Sequence, residues 1–317
     1  MIMTKILQFL LMAMIMAELL TCYAHTDKQV VHGTILHNKI ERTYIMYLPA
    51  PYDHTKFAPL IFALHGGGGT AEGMVKLTAG SFNRLADKEG FIIVYPQGVG
   101  RHWNDGRKGA NDRAHKENID DVGFISLLID RLVTEWNINP ARIYVTGISN
   151  GAGMSFMLAC HLSKKITAIA PVALTMSEDM ISLCSPKKSM PVAMIMGEKD
   201  PLVPWEGGEI RIGPIKRGKV ISAQDSVQYW ISHNKCSPKP KISYLQDKDP
   251  SDETRIRQET YSECSANSNV IFYAVEGAGH TWPGGMQYLP KWIIGKTSYD
   301  IDAAELIWDF FKQHASN

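Results

Sequence analysis

The stretch RIYVTGISNGAGMSFMLACHL, residues 142–162, is the most informative part of the chain. Its first part, Arg142–Thr146, is short and apolar and predicts a buried strand, whereas Ala152–Leu162 has the spacing of a helix. Between them lies GISNG, a G-x-S-x-G sequence in a strand–turn–helix context. The turn is so tight that glycines are needed to avoid clashes, and it lifts the Ser149 hydroxyl clear of the sheet edge. The stretch therefore predicts that Ser149 is a nucleophile.

Short apolar runs alternate with helical segments along the rest of the chain. Alternating residues predict a hairpin at a sheet edge, formed by Val30–Leu36 and Arg42–Leu48. Further strands are predicted over Leu60–Leu64, Phe91–Tyr95, Arg142–Thr146, Ala168–Ala173, Val192–Met196 and Val270–Val275. Helices are predicted over Val75–Lys88, Val122–Trp136, Ala152–Leu162, Ala223–Asn234 and Ala303–His314. This order indicates an α/β fold, in which a mostly parallel sheet carries helices on both faces and binds ligands at the carboxyl ends of its strands.

Composition excludes several classes of protein. The 317 residues include 33 Lys and Arg against 32 Asp and Glu, so the formal net charge of +1 lacks the basic excess of a nucleic-acid-binding protein. A hydrophobic content of 45% is too high for a disordered chain. The sequence has no internal repeat or low-complexity linker. We therefore expect a single domain over residues 25–317, and the composition predicts no oligomeric state.

The first 24 residues have the pattern of a signal peptide. Lys5 precedes the apolar run Ile6–Ala17, and Cys22-Tyr23-Ala24 gives a cleavage site after Ala24. Cleavage predicts a secreted or periplasmic protein without stable membrane insertion. Two alternatives remain open, a retained membrane anchor and a lipoprotein acylated at Cys22.

Export affects the interpretation of the cysteines. Four remain after cleavage, and an even number in an oxidising compartment suggests two disulfides with three possible connectivities. Their order along the chain favours Cys160–Cys184 and Cys236–Cys264, while four free thiols are the alternative. No cysteine–histidine spacing typical of zinc occurs, so we expect no metal site.

A second loop, His65-Gly66-Gly67-Gly68-Gly69, follows the predicted strand Leu60–Leu64. Its backbone N–H groups suit an oxyanion hole. We expect Asn150 N–H and Gly67 N–H to be the two donors, with Gly66 or Gly68 as alternatives to Gly67.

A dinucleotide-binding loop is the rival interpretation of this segment, because Gly66, Gly68 and Ala71 fit G-x-G-x-x-A. That fingerprint requires an acidic residue at the end of the next strand. Phe91–Tyr95 is instead followed by Pro96-Gln97, which argues against a nucleotide site.

A third loop, residues 277–285, carries the candidate base. A base must approach Ser149 from a loop, and in this architecture the chain order is serine, acid, histidine. Of the histidines after Ser149, only His280 lies outside a predicted helix. Asp200, in the loop after Val192–Met196, is the candidate acid, and Glu198 is its competitor.

Together these segments resemble the secreted esterase family that groups polyhydroxybutyrate depolymerase-like proteins with feruloyl and acetylxylan esterases. The matching pieces are Leu64–Gly68, Asn118–Phe124, Tyr144–Gly151, Gly197–Pro204 and Gly279–Gly284, within a resemblance that runs from about residue 34 to 311. The resemblance implies an α/β-hydrolase fold, a Ser149–Asp200–His280 triad and no cofactor, and it supports the two local cysteine pairs. Asn150 departs from the small residue that well-studied polymer depolymerases tend to carry, which argues against polymer degradation.

The resulting prediction is a secreted serine esterase that forms an acyl-enzyme. Its substrates would be soluble short-acyl or hydroxycinnamoyl esters, or 3-hydroxybutyrate oligomers. The alternatives are a depolymerase acting on solid polyhydroxybutyrate, a serine peptidase of the same fold and a catalytically silent binding module. Five aromatic residues in or near the predicted active-end loops either stack on substrate or cover the sheet edge: Trp103, Trp205, Trp282, Tyr288 and Trp292.

Overall fold

The computed structural model describes residues 29–315. The predicted signal peptide and its cleavage site after Ala24 lie outside the described residues. Within them a ten-stranded sheet forms the centre of the protein, in the order β1-β2-β4-β3-β5-β6-β7-β12-β11-β10, beside the separate hairpin β8–β9. The twelve strands are β1 (Val30–His37), β2 (Ile40–Tyr47), β3 (Ala58–Leu64), β4 (Ile92–Pro96), β5 (Ile138–Ile148), β6 (Ala168–Val172), β7 (Val192–Gly197), β8 (Gly208–Ile212), β9 (Ile215–Val220), β10 (Lys241–Tyr244), β11 (Arg255–Tyr261) and β12 (Val270–Glu276).

Six neighbouring strands in the middle of the sheet are parallel: β4, β3, β5, β6, β7 and β12. Antiparallel strand pairs form both edges of the sheet. Every residue of β3, β4, β6 and β7 is buried. Such continuous apolar strands form because helices cover both faces of a parallel sheet. The predicted mostly parallel sheet is confirmed, as is the hairpin β1–β2 at its edge.

Nine α-helices lie within residues 29–315: α1 (Ala71–Leu77), α2 (Ser81–Glu89), α3 (Arg113–Lys116), α4 (Asp121–Glu135), α5 (Asn150–Leu162), α6 (Glu178–Ile181), α7 (Ala223–Asn234), α8 (Lys291–Ile294) and α9 (Ala303–Phe311). None of them is long and apolar enough to cross a membrane. The prediction of one helix over Val75–Lys88 is wrong. Ala79 (φ 51°) and Gly80 (φ 69°) adopt left-handed conformations that end α1 and start α2.

Strands β8 to β11 were not predicted from the sequence. In β8–β9, Ile210 and Ile212 alternate with charged residues and Gly213-Pro214 forms the turn, so the signal was present but short. This hairpin packs on the loop at residues 107–109, since a Cβ atom at Gly218 would lie 2.6 Å from the Lys108 carbonyl oxygen. It thereby forms one wall of the cavity described below.

Two disulfides connect elements around the sheet. Cys160 in α5 is bonded to Cys184, and Cys236 after α7 is bonded to Cys264. Both connect residues that are close in sequence, so each closes a local loop.

Candidate active site

Ser149 lies at the turn between β5 and α5 in a conformation that L-residues rarely adopt. Its backbone angles are φ 54° and ψ −121°. Such a residue costs roughly 1–3 kcal/mol of strain and persists only where its surroundings enforce it. The two flanking glycines meet that need. A Cβ atom at Gly147 would lie 2.6 Å from the backbone of Gly151, and one at Gly151 would overlap the carbonyl oxygen of Leu64 in β3. The G-x-S-x-G spacing is therefore a steric requirement of this turn.

His280 lies in the loop after β12 and is bonded to the carboxylate of Asp200. The distance from His280 Nδ1 to Asp200 Oδ2 is 2.6 Å, and the two side chains are 5% and 0% exposed. The other Asp200 oxygen accepts hydrogen bonds from the backbone N–H groups of Leu202 and Val203, at 2.8 and 2.9 Å. These bonds fix the carboxylate and favour the imidazole tautomer that carries its proton on Nδ1.

Glu198, the competing acid, has a different partner. Its carboxylate lies 3.5 Å from the Arg257 guanidinium, at the side of the sheet formed by β11. No hydrogen bond or ion pair joins it to His280. Of the two candidate acids, only Asp200 therefore meets the histidine.

The His280 loop is held by the segment around α8. The backbone N–H of His280 donates to the Ile294 carbonyl at 2.5 Å, and that of Gly279 donates to the Lys296 carbonyl at 2.9 Å. The Tyr288 hydroxyl donates to the His280 carbonyl at 3.0 Å. These bonds come from backbone and one tyrosine, so they position the imidazole without occupying its second nitrogen.

The glycine loop after β3 presents backbone N–H groups beside the turn at Ser149. The Gly68 N–H donates to the Arg101 carbonyl and the Gly69 N–H to the Gly66 carbonyl. Within residues 29–315, no acceptor is bonded to the N–H groups of Gly66, Gly67 or Asn150. A Cβ atom at Gly67 would lie 3.7 Å from that of Asn150, so these two residues are neighbours. Gly67 and Asn150 thus remain available as donors, whereas Gly68 is already used.

The His65 side chain stabilises the glycine loop through two hydrogen bonds. Its Nδ1 donates to the Gly66 carbonyl at 2.8 Å, and its Nε2 accepts the Gly98 N–H at 3.0 Å. Burial lowers the pKa of His65 to about 4. Gln97, which stands where a nucleotide site would have its acid, accepts the Ala71 N–H and contacts His65 Nε2. Gln97 therefore stabilises this loop through its contacts with Ala71 and His65.

The Asn150 side chain ties the turn to the loop at residues 103–107. Its Oδ1 accepts the Trp103 N–H at 2.7 Å, and its Nδ2 donates to the Trp103 carbonyl and to Asp105 Oδ2, at 2.9 and 2.8 Å. The Asn150 side chain thus makes three hydrogen bonds to two residues, and Asn150 is 4% exposed. This role of the residue after Ser149 was not predicted from the sequence.

Asp105 is the centre of a buried ionic network that sequence reasoning also missed. Its side chain is fully buried and accepts hydrogen bonds from Arg107, at 2.8–3.0 Å, and from His115, at 2.9 Å. The other His115 nitrogen lies 2.9 Å from Asp112. Burial opposes a charged imidazole here, but the two carboxylates outweigh it and raise the pKa of His115 to about 9. The network therefore contains a protonated histidine at neutral pH.

The segment Asn118–Phe124, which carried part of the family resemblance, supports the same loop. Asp120 caps α4, and the buried Asp121 is bonded to Arg42 at 2.5 Å and accepts the Asn104 N–H at 2.8 Å. Adjacent aspartates that precede a helix were the available signal for this role.

A cavity of about 490 Å³ brings these groups together. Ser149, His280, Gly67 and Asn150 all line it. One part of its wall is polar, with Arg107, Asp112 and Arg217, and the rest is apolar, with Met74, Leu77, Leu202, Val203, Ile210, Leu289 and Ile293. Within residues 29–315 no group of three or more His, Cys, Asp or Glu side chains is arranged to hold a metal ion.

The five aromatic residues separate into two groups. Trp103 and Trp282 are fully buried, and Trp205 packs on Phe272. Tyr288 lines the cavity and Trp292 is 84% exposed. Trp103 and Trp282 therefore belong to the core, whereas Tyr288 and Trp292 are exposed to a ligand.

The chain is similar to known esterases in sequence. Residues 42–203, about half of the chain, match the family Esterase PHB depolymerase. The chain is 27% identical over 259 residues to a putative esterase, NocK, of Nocardia uniformis subsp. tsuyamanensis, covering 80% of this chain and 73% of that protein. It is 26% identical over 282 residues to feruloyl esterase B of Piromyces equi, covering 86% of this chain and 45% of the relative. Feruloyl esterase C of Emericella nidulans is 31% identical over 172 residues, which cover 53% and 58% of the two chains. The chain thus spans about half the length of these two feruloyl esterases.

Solved structures share the fold. An acetyl xylan esterase from Aspergillus awamori superimposes with a TM-score of 0.56 at 14% identity, covering 89% of this chain and 99% of its own. A thermostable esterase gives the same TM-score at 15% identity and covers 90% and 63%. The α/β-hydrolase fold predicted from the sequence is therefore confirmed, and the predicted carboxylic ester hydrolase agrees with the family match and the relatives. With its family match spanning half of the sequence, the chain belongs to the Esterase PHB depolymerase family.

Proposed function

We propose that the protein hydrolyses soluble carboxylic esters through an acyl-enzyme on Ser149, with His280 as base and Asp200 as its orienting acid. The observation that carries the proposal is the 2.6 Å contact between His280 and Asp200 in the wall of the cavity that also holds the strained Ser149. A carboxylate on Nδ1 leaves Nε2 unprotonated and ready to accept a proton.

The first half of the reaction forms the acyl-enzyme. His280 Nε2 takes the proton of Ser149 Oγ while Oγ attacks the ester carbonyl carbon, and the carbonyl oxygen becomes an oxyanion. The N–H groups of Gly67 and Asn150 stabilise that charge because both are free to donate. When the intermediate collapses, the bond to the alcohol breaks and the alkoxide leaves with the proton from His280.

The second half repeats these steps with water as the nucleophile. His280 takes a proton from water as its oxygen attacks the acyl carbon, and the same two N–H groups stabilise the second oxyanion. Collapse returns the proton to Ser149 Oγ and releases the carboxylic acid. Asp200 stays ionised throughout and stabilises the imidazolium that forms twice in each cycle.

The proposed substrates are short-acyl or hydroxycinnamoyl esters, or 3-hydroxybutyrate oligomers. The apolar part of the cavity wall fits an aliphatic or aromatic group. The names of the relatives, feruloyl esterase among them, support the same class. The two disulfides support an extracellular or periplasmic location, since such bonds persist in oxidising compartments.

The test is hydrolysis of methyl ferulate, an acetylated xylo-oligosaccharide and a 3-hydroxybutyrate oligomer by the native protein and by Ser149→Ala. We expect turnover of at least one ester, and a loss on the order of 10⁶-fold in kcat for the variant. Ser155→Ala is the matched control, because this serine lies in α5, the helix that follows Ser149, and its hydroxyl donates to the Gly151 carbonyl. Turnover that survives Ser149→Ala contradicts the proposal.

A polyester depolymerase is the second candidate, and one observation favours it. Around the cavity the apolar side chains of Ile212, Tyr288 and Leu289 are 40–48% exposed, and Trp292 is 84% exposed. Exposed apolar patches are typical of surfaces that bind a partner or an apolar solid. Clearing of a polyhydroxybutyrate film, with little action on the soluble esters, would establish this candidate in place of the first.

A further inference from the structure

Arg217, on β9, is a cation without a hydrogen bond in the wall of the cavity. Its side chain is 24% exposed and its Nε is buried. Its nearest acidic group is Asp112, whose Oδ2 lies 3.9 Å from Arg217 Nη1, beyond hydrogen-bond distance. No other atom within residues 29–315 accepts from it. Buried polar groups are normally bonded, so the buried Nε of Arg217 is a donor that the described residues leave without a partner.

Asp112 is not free to serve as that acceptor. It caps α3 by accepting the His115 backbone N–H, and both of its oxygens lie 2.9 Å from His115 Nδ1. Arg107, the other guanidinium in this wall, is bonded to both oxygens of Asp105. Each carboxylate of the wall is therefore committed to a partner other than Arg217.

The charges of this wall do not balance. Arg107, His115 and Arg217 are three cations, since His115 is protonated at neutral pH, whereas Asp105 and Asp112 are two anions. One positive charge is left over, and Arg217 is the cation without a close partner.

We propose that Arg217 forms an anion subsite in the active-site cavity and that the preferred substrates are esters carrying a free carboxylate. Guanidinium and carboxylate groups match in geometry and form paired, charge-assisted hydrogen bonds. The carboxylate has two possible sources, the acyl part, as in a half-ester of a dicarboxylic acid, or the alcohol part, as in the ester of a hydroxy acid. The proposal rests on the proposed function, because it assigns specificity to the same cavity.

Two pairs of esters, each matched except for charge, test the subsite. For the acyl side they are the mono-4-nitrophenyl ester of glutarate and 4-nitrophenyl pentanoate. For the alcohol side they are 3-acetoxybutyrate and its primary amide, assayed by release of acetate. We expect the native protein to prefer the anionic member of at least one pair in kcat/KM. Arg217→Gln should lower that preference by roughly 10- to 100-fold, the usual effect of a hydrogen bond to a charged group, and chiefly by raising KM. The pair that responds identifies the source of the carboxylate.

Lys216→Gln is the matched control. Lys216 is the preceding residue of β9, its side chain is 63% exposed and it is paired with Glu209 outside the cavity. The Lys216→Gln variant removes one positive charge from the same hairpin as Arg217→Gln does. Because that charge lies outside the cavity, the variant should leave the preference within each pair of esters unchanged. Equal effects of the two variants, or no loss of preference in Arg217→Gln, overturn the proposal.

A binding measurement separates this proposal from the proposed function. In Ser149→Ala, monomethyl glutarate should bind more tightly than dimethyl glutarate, or 3-acetoxybutyrate more tightly than its primary amide, in calorimetry, and Arg217→Gln on that background should weaken only the binding of the anion, by at least about tenfold. Failure of this result together with Ser149-dependent ester hydrolysis overturns the subsite alone. Binding of the anion without any Ser149-dependent hydrolysis supports the subsite and contradicts the proposed function.

Discussion

Two buried histidines of this protein are bonded to aspartates, and they differ in what the second ring nitrogen meets. His280 is bonded to one carboxylate, Asp200, and no described residue accepts from or donates to its Nε2. His115 lies between two carboxylates, Asp105 and Asp112, one on each nitrogen. Two carboxylates raise the pKa of His115 to about 9 against the cost of burial, so it is a fixed cation. A single carboxylate with a free nitrogen facing the cavity is instead the arrangement of a base.

Burial beside an acid does not by itself mark a catalytic histidine. His115 and His280 have side chains that are 6% and 5% exposed, so exposure cannot separate them. The number of ring nitrogens bonded to a carboxylate separates the two histidines, since it is two in His115 and one in His280. His115 therefore stabilises the loop beneath the turn at Ser149, whereas His280 lines the cavity with one nitrogen unbonded and is the base of the proposed mechanism.

Removal of the Asp200 carboxylate, which is bonded to His280, is expected to have the largest effect on kcat. Asp200→Asn should lower kcat about 10⁴-fold, because the amide favours the wrong tautomer of the histidine. Glu198→Gln is the matched control, since its carboxylate pairs with Arg257 instead, and kcat should change less than about threefold. Steady-state kinetics on a 4-nitrophenyl ester compares the two. A larger loss in Glu198→Gln would reassign the acid.

Removal of the Asp105 carboxylate, which is bonded to His115, should change the free energy of unfolding more than it changes kcat. Asp105→Asn leaves Arg107 and His115 buried without their shared anion, and breaking a buried pair in this way costs about 3–5 kcal/mol. Urea denaturation measures the free energy of unfolding. Asp309→Asn, which breaks only an exposed pair with Lys312, is the control and should cost less than about 1 kcal/mol. Equal losses in both variants would show that the network contributes little.

The charge of His115 should also appear in the pH dependence of the free energy of unfolding, with a smaller effect than that of Asp105→Asn. Its pKa is about 9 in the folded protein against an ordinary value of 6.5, so its contribution is complete below pH 6.5 and is lost as the pH rises through about 9. Denaturation at several values of pH should show a decline over this range that is absent in His115→Gln. An unchanged decline in the variant contradicts a protonated His115.

The acid side of the profile has a different origin. Burial lowers the pKa values of His65 and His314 to about 4, so both stay neutral in the fold while they become protonated in the unfolded chain. Stability should therefore also fall as the pH drops from 6.5 towards 4. This decline should persist in His115→Gln, which makes it an internal control for that variant.

The sequence predicted the features that depend on neighbours along the chain. Gly147 and Gly151 are needed because of the turn they flank, and strands such as β3 are recognisable because both their faces are buried. The chain order of serine, acid and histidine then led to Asp200 and His280 as candidates.

The features it missed depend on contacts between distant segments. Asn150 meets Asp105 across 45 residues, and Arg217 approaches Asp112 across 105 residues through a hairpin that was not predicted. Nothing local distinguishes Asp105 from an aspartate in a solvated loop. Pairing of side chains across such separations depends on the packed fold, which a single sequence does not reveal.

Labelling of Ser149 by diethyl 4-nitrophenyl phosphate tests the central claim most directly. The reagent phosphorylates a serine only where a base activates it, so peptide mass spectrometry should find one adduct, on the peptide with Ser149. The rate of labelling should fall steeply in His280→Ala and Asp200→Asn and remain unchanged in Glu198→Gln. An adduct on another residue, or labelling of Ser149 that is independent of His280, would contradict the account.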